Sequence, residues 1–310
     1  MKPSVFVQQC GSLCEFSSSD SWVILLPIEQ SIKRKIEAVG TPLKDWDIQI
    51  NYGIKTGYNE AFIITTEKRD EILANCQTKE ERTRTAEIIR PILRGRDIKR
   101  YGYEWADKYL IATFPSRHYD IEQYPTVKQY LLSFGKERLE QTGKTYTING
   151  EKIKARKKTN NKWFETQDSI SYWEDFSKPK IIWKRIGSIL RFAYDVNGSF
   201  GLDSTCFATG EHIAYLCCIL NSLMGHYMFK DSPKTGTGDL LVSVQAIEPI
   251  LIPIDIQLEI IFKKLLYELL SEDSNVTEKE INRLVFKLYD LSPEEIGYVT
   301  DYVTQSQQSL

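Results

Sequence analysis

The sequence predicts an α/β chain of mixed α+β type, with small mixed sheets and packed helices followed by a helical C-terminal tail. Short apolar runs punctuated by Gly, Asn and Pro at 46–50, 61–65, 109–113, 180–186, 190–195 and 205–209 supply strands. Helical periodicity at 28–36, 67–89, 125–141 and 211–230 supplies the helices between them, and from 257 onward the pattern is helical throughout. In 310 residues, 42% hydrophobic and 12% aromatic side chains are ample for a packed core. The longest apolar runs, 22–28 and 250–256, fall far short of the roughly 20 residues of a membrane helix. No basic segment followed by an apolar one opens the sequence, so a cytoplasmic protein is expected.

Taken in order, residues 1–20 are polar and expected to be loose. Ile28, Ile32 and Ile36 form a helical stripe supported by Glu29 and Lys33, and Gly40 closes it. The runs at 46–50 and 61–65 read as paired strands joined through a turn at 53–59. The 125–141 segment puts Val127, Tyr130, Leu131 and Phe134 on one helical face, with Gly143 beyond its end. The polar 143–161 segment has the composition of a mobile loop or hairpin. Asn197-Gly198 signals a hairpin, 235–238 is a glycine-rich loop, and 240–254 reads as strand with Pro249 and Pro253 holding it to edge positions. In the tail, 257–270 is amphipathic, and Thr277 with Glu280, then Ser292 with Glu295, are capping-box starts. No repeat of fixed period is present.

Charge is unevenly distributed. Between Lys144 and Arg191 twelve cations stand against five anions, whereas from Asp239 onward thirteen anions stand against five cations. A basic middle suits a phosphate backbone, and an acidic tail does not. Six cysteines (Cys10, Cys14, Cys76, Cys206, Cys217, Cys218) include no Cys-x-x-Cys pair, so free thiols in the core are expected rather than a zinc site.

The densest basic stretch is Ile88-Ile89-Arg90-Pro91-Ile92-Leu93-Arg94-Gly95-Arg96-Asp97-Ile98-Lys99-Arg100-Tyr101, where apolar anchors alternate with cations. That pattern suits a turn pinned to a core with its charge turned outward. About 30 residues earlier, Tyr52-Gly53-Ile54-Lys55-Thr56-Gly57-Tyr58-Asn59-Glu60 leads into an apolar run. Together these segments resemble the target-recognition domain at the C-terminal end of TaqI-like adenine DNA methyltransferases and of fused type IIG restriction-modification enzymes. The resemblance continues through Tyr124-Pro125-Thr126-Val127, Trp163-Phe164-Glu165-Thr166-Gln167, Lys178-Pro179-Lys180-Ile181-Ile182-Trp183, Leu220-Asn221-Ser222-Leu223 and Leu288-Tyr289-Asp290-Leu291-Ser292-Pro293, covering about residues 20–300.

The resemblance implies a division into an N-terminal segment and connector helix (1–40), a DNA target-recognition domain (41–255) and a helical tail (256–310). It implies that the chain grips double-stranded DNA and selects the sequence. A methyltransferase domain or subunit outside it would move a methyl group from S-adenosylmethionine to adenine N6, with Mg²⁺ serving cleavage in parents that also cut. The residues for those steps are not expected here. No Pro-Pro occurs for a base-flipping Asn/Asp-Pro-Pro-Tyr/Phe segment, and no strand-turn-helix glycine motif accompanies Gly198 and Gly201. Asp97-Ile98-Lys99 is a lone carboxylate-x-Lys triplet, read as Asp97 orienting a neighbouring arginine rather than holding a metal.

Recognition remains. Arg90, Arg94, Arg96, Lys99, Arg100, Lys154, Arg156, Lys157 and Lys158 are the expected phosphate partners. Lys55, Asn59, Arg94, Arg96, Arg156, Asn160, Asn161 and Gln167 are the expected base readers on turns, with Thr56 beside them and Arg185 lining either a groove or a strand edge. Asn59 alternatively closes its own turn, and Trp163, Phe164 and Trp183 read as packing. The rival reading is a protein-interaction module of a phage-defence assembly, docked on a methyltransferase through the acidic tail with DNA contact secondary. A stand-alone enzyme is the third.

Overall fold

The computed structural model describes residues 25–272 and 274–308; the polar start through residue 20, with Cys10 and Cys14, lies outside them. Helix α1 (Pro27–Val39) precedes strands β1 (Ile48–Tyr52) and β2 (Ile63–Thr65). Next come α2 (Thr66–Ala74), α3 (Lys79–Ile88), β3 (Ile89–Leu93), β4 (Lys108–Ile111) and α4 (Pro125–Leu132). A hairpin of β5 (Thr145–Ile148) and β6 (Glu151–Lys154) leads to β7 (Lys180–Lys184), β8 (Phe192–Asp195), β9 (Phe200–Gly201) and β10 (Thr205–Gly210). Helices α5 (Ile213–Asn221), α6 (Leu223–Met228), α7 (Ile256–Ser271), α8 (Asn275–Leu288) and α9 (Pro293–Gln308) follow. This is the mixed α/β architecture that the patterning predicts.

One sheet organises the rest. Its order is β8-β7-β10-β1, antiparallel throughout, and period-two alternation sorts its side chains onto two covered faces. Ile181, Trp183, Phe192, Tyr194, Cys206 and Ala208 face a helical core that contains Ile32 of α1, every residue of α5 from Ile213 to Leu220, and Phe262, Ile281 and Val299 of the tail. Ile182, Ala193 and Phe207 face a second core shared with the sheet β9-β3-β4-β2 and helices α2 to α4. Burial on both faces explains why β7 and β8 read as nearly continuous apolar runs. Connector and tail helices therefore share one core with strands from the middle of the chain. Within the second core Phe176 bridges the sheets, its ring 4.6 Å from Phe200 and 4.4 Å from Phe207.

Several pairings differ from the expectation. The runs at 46–50 and 61–65 do not form a hairpin: β1 pairs with β10 and β2 with β4. The segment between them keeps to the first sheet as far as Gly53, whose N–H donates to Thr205 O of β10 at 2.9 Å, and then passes to the other sheet, where Ile54 N–H donates to Gly201 O of β9 at 2.7 Å and Asn59–Phe62 coils so that Ala61 and Phe62 are fully buried. The 125–141 helix ends at Leu132, where Gly135 takes φ +86° before a separate turn, Lys136–Leu139. After Asn197-Gly198 the chain crosses to the other sheet, where β9 lies parallel to β3. Residues 240–254 form two-residue strands around a helical turn, Val244–Ile247. In the tail Ser274, not Thr277, caps α8, while Ser292 and Glu295 exchange the two hydrogen bonds of a capping box. Residues 143–161 do contain a hairpin, β5–β6, turned by Asn149 and Gly150 at φ +52° and +87°.

Candidate nucleic-acid interface

Burial forces a buried guanidinium to find acceptors, and Arg156 finds four. It is 4% exposed. Its Nε donates to Leu139 O at 2.8 Å, Nη1 to Thr56 O and Glu165 O at 2.8 Å, and Nη2 to Trp163 O at 2.7 Å. The plane lies 5.0 Å from the Phe62 ring centre. Desolvation pushes its pKa down to about 10, opposed by Glu140 and Glu165, so it stays charged at neutral pH. Arg156 is thus not at the surface to meet DNA: it ties residues 56, 139, 163 and 165 together. Thr56 is buried with it, accepting from Tyr58 N–H and donating to Asn59 Oδ1 at 2.6 Å, so Asn59 closes its own turn. Asn161 is spent similarly, its Nδ2 donating to Thr166 O and Gln167 O.

The 94–97 turn has its own tie. Asp97, 4% exposed, accepts from Arg94 N–H at 2.8 Å, Nε at 3.0 Å and Nη2 at 2.7 Å. Asp97 therefore orients Arg94, as the sequence predicts, and Arg94 is closed against it rather than free for a base. Arg96 is left exposed at the apex. Gly95 is required by close approach: a Cβ there would sit 2.8 Å from Lys184 Cγ and 3.2 Å from Ser204 O. Its N–H donates to Ser204 Oγ at 3.0 Å, which seats the turn on the loop between β9 and β10.

From that contact a continuous strip can be traced. Lys184 lies against Gly95, and Asp203 N–H donates to Ile54 O at 2.9 Å, which brings Lys55 alongside. Lys55 N–H donates to Asp168 Oδ2 at 3.3 Å, and Gln167 N–H to Lys55 O at 3.1 Å. Burial raises the Asp168 pKa, opposed by Lys55 and Lys157, so Lys157 is part of the same neighbourhood. Lys157, Lys158 and, on β6, Lys154 follow from the Arg156 anchor. Arg96, Lys184, Lys55, Lys154, Lys157 and Lys158 are exposed and have no ion-pair partner among the described residues. Four segments distant in sequence, joined through Gly95 with Lys184, Ile54 with Asp203 and Thr56 with Arg156, thus carry exposed cations without an ion-pair partner among the described residues, with Gln167, Asp168 and Asp203 between them.

The remaining expected residues lie elsewhere. Arg100 bridges to the helical half, donating to Glu278 Oε2 and Asn221 O at 2.8 Å each. Lys99 is paired with Glu104 at 3.1 Å. Arg185 is half-buried, its backbone N–H bonded to Ser204 O, and Arg90 is half-buried on β3 with its guanidinium 5.5 Å from the Phe200 ring centre. Lys180, counted in the basic middle, is wholly internal, 2.6 Å from Asp195. Sequence reading passed over Arg117 and Trp173, which stack at 4.0 Å; no local pattern marks that pair.

No curated protein sequence matches the chain. Among solved structures, the type IIL restriction-modification enzyme MmeI in complex with DNA is similar at TM-score 0.56 and 8% identity, over 87% of this chain and 37% of that one. The type IIG restriction endonuclease BpuSI matches at TM-score 0.45 and 14% identity, over 86% of this chain and 33% of that one. The chain thus spans about a third of the length of these structures, and the first likeness is one of fold. The sequence model of the TaqI-like C-terminal specificity domain matches residues 90–248, which hold the 94–97 turn, the Arg156 anchor and all of β4 to β10. Covering half of the sequence, that match means that the chain belongs to the family of TaqI-like C-terminal specificity domains.

Proposed function

We propose that this chain selects the DNA sequence on which a restriction-modification adenine methyltransferase acts, holding duplex along the strip from Arg96 to Lys158. The observation that carries the reading is the separation of cations by role: Arg94, Arg100 and Arg156 are bound internally, while six others are exposed and unpaired on one strip. Unpaired lysines supply sequence-independent phosphate contact, and Arg96 on a rigid turn has the donor fork that reads guanine O6 and N7. Transfer of the methyl group from S-adenosylmethionine, and Mg²⁺-dependent cleavage where the parent cuts, belong to other domains. The helical half suits docking on such a catalytic domain, since Ile256 and Ile260 of α7 stand 69% and 71% exposed. We place the assembly in the cytoplasm, where it would serve phage defence.

Selection of random duplexes by the purified chain tests this. Recovery of one asymmetric motif is the expected result, with affinity falling steeply between about 50 and 200 mM salt. Arg96→Gln should relax a single base position. A flat salt response with no recovered motif would instead favour a protein-interaction module.

A further inference from the structure

Arg90 and Arg117 differ from every tied arginine above. Neither has a hydrogen-bonded or ion-paired acceptor among the described residues, and each lies over an aromatic ring: Arg90 5.5 Å from the centre of Phe200, Arg117 4.0 Å from Trp173 and 5.9 Å from Tyr119. Arg90 Nε is buried without a partner. All five side chains line one cleft of about 230 Å³. Glu87 stands at its rim and is shared, with Arg90, by an open groove that carries Lys79 and Arg82.

The buried Arg90 Nε without an acceptor and the Arg117 guanidinium stacked over Trp173 offer an anion two cationic donors, and the aromatic lining around them suits a planar ring. The volume is below that of most drug-sized sites and suits one ring with one phosphate. We infer that this cleft binds a single nucleotide, its phosphate on Arg90 and Arg117, its base against the aromatic lining that these arginines leave uncovered, and its exocyclic amine donating to Glu87. Its lining shares no residue with the cationic strip. The nucleotide is either a free monophosphate or an unpaired unit of a DNA strand whose next phosphate reaches Lys79 and Arg82.

The test titrates the full chain with deoxynucleoside monophosphates, with inorganic phosphate, and with two duplexes identical but for one unpaired base. Saturable binding of a monophosphate is expected, at least about tenfold tighter than inorganic phosphate, as base stacking requires. Arg117→Ala, on an exposed turn, should weaken it about tenfold while leaving affinity for the fully paired duplex unchanged. A wild-type preference for the unpaired-base duplex that disappears in Arg117→Ala assigns a strand nucleotide; binding of monophosphates with no such preference assigns a free one. Phosphate binding as tightly as nucleotide would overturn the inference without any variant. So would absence of binding by both monophosphate and unpaired base, or a loss of paired-duplex affinity in Arg117→Ala as large as the loss for nucleotide. Failure of the paired duplex to bind would bear only on the strip.

Discussion

The segments 94–97 and 154–158 are both short and basic around one small residue, Gly95 or Ala155, and the first also carries Asp97. The structure uses them by the same plan with different partners. In each, one arginine turns inward to hold the backbone and its neighbours are left outside. Arg94 is neutralised by a carboxylate three residues away, a local bond within a single turn. Arg156 is held by four neutral carbonyls, one of them 100 residues distant in sequence, so a full charge is buried among dipoles. The first tie shapes one turn. The second fixes the relative positions of four segments, and the strip depends on it.

That difference predicts the largest effect. Arg156→Gln would leave at least two of the four carbonyls without a donor in a buried site, at about 1–3 kcal/mol each, so urea denaturation should show about 4 kcal/mol of lost stability. A loss under about 1 kcal/mol would mean that the carbonyls are satisfied by water and that the two segments are equivalent after all.

The helical half offers a titratable counterpart to both. Burial pushes the Glu295 carboxyl up, but Lys35 and Ser31 at 2.7 Å, with Ser292 N–H at 2.7 Å, outweigh it and hold the pKa down to about 2. The unfolded chain binds that proton at about 4.5, so this contribution is complete above about 4.5 and is lost as pH falls toward 2. It amounts to about 3 kcal/mol. Acid titration of Glu295→Gln against the parent should remove that part of the pH dependence, whereas the difference made by Arg156→Gln should vary less over the same range, because its four direct acceptors are carbonyls and Glu140 and Glu165 act on it only through space.

How much of this was legible follows from the reach of each interaction. Asp97 facing Arg94 could be read, because partners three residues apart on a turn meet whatever the rest of the chain does. Ser292 with Glu295, and the β5–β6 hairpin with its Asn149-Gly150 turn, are local in the same way. Arg156 looked like its neighbours Lys157 and Lys158, since its acceptors at 56, 139, 163 and 165 are brought together only by tertiary folding. Strand existence was readable from period-two runs, but pairing was not. Gly53, which the sequence pattern marks as the start of a hairpin turn, instead lies at a crossing between sheets: a Cβ there would lie 1.9 Å from Leu202 O. Lys180 and Asp195 carry the same lesson, for their cross-strand register places both fully inside.

Asp97→Asn tests the local tie. The substitution removes the charge opposite Arg94 and disrupts the three hydrogen bonds that the carboxylate accepts, so a loss of about 2 kcal/mol is expected. Its effect on DNA should be opposite in sign at low salt: Arg94 released from its partner adds a mobile cation, raising non-specific affinity while selectivity at the position read by Arg96 falls. Competition between a selected duplex and random duplex measures both. Unchanged selectivity would mean that the rigidity of this turn is irrelevant to base reading.

The smallest effect on folding should come from the cations that the two ties leave free. Lys157 and Lys158 are exposed, with no ion-pair partner among the described residues, so Lys157→Gln with Lys158→Gln should change stability by no more than about 0.5 kcal/mol. Their contribution belongs to the bound state. Each lysine that neutralises one phosphate releases about 0.9 counterion, so the double substitution should lower the slope of log affinity against log salt by about 2 and weaken all duplexes alike. The same substitutions paired with Arg96→Gln should be additive in binding energy, because Arg96 is held by the other turn and shares no partner with them. A slope that stays constant would place duplex away from the 154–158 segment, and Arg156 would then organise a surface that DNA does not use.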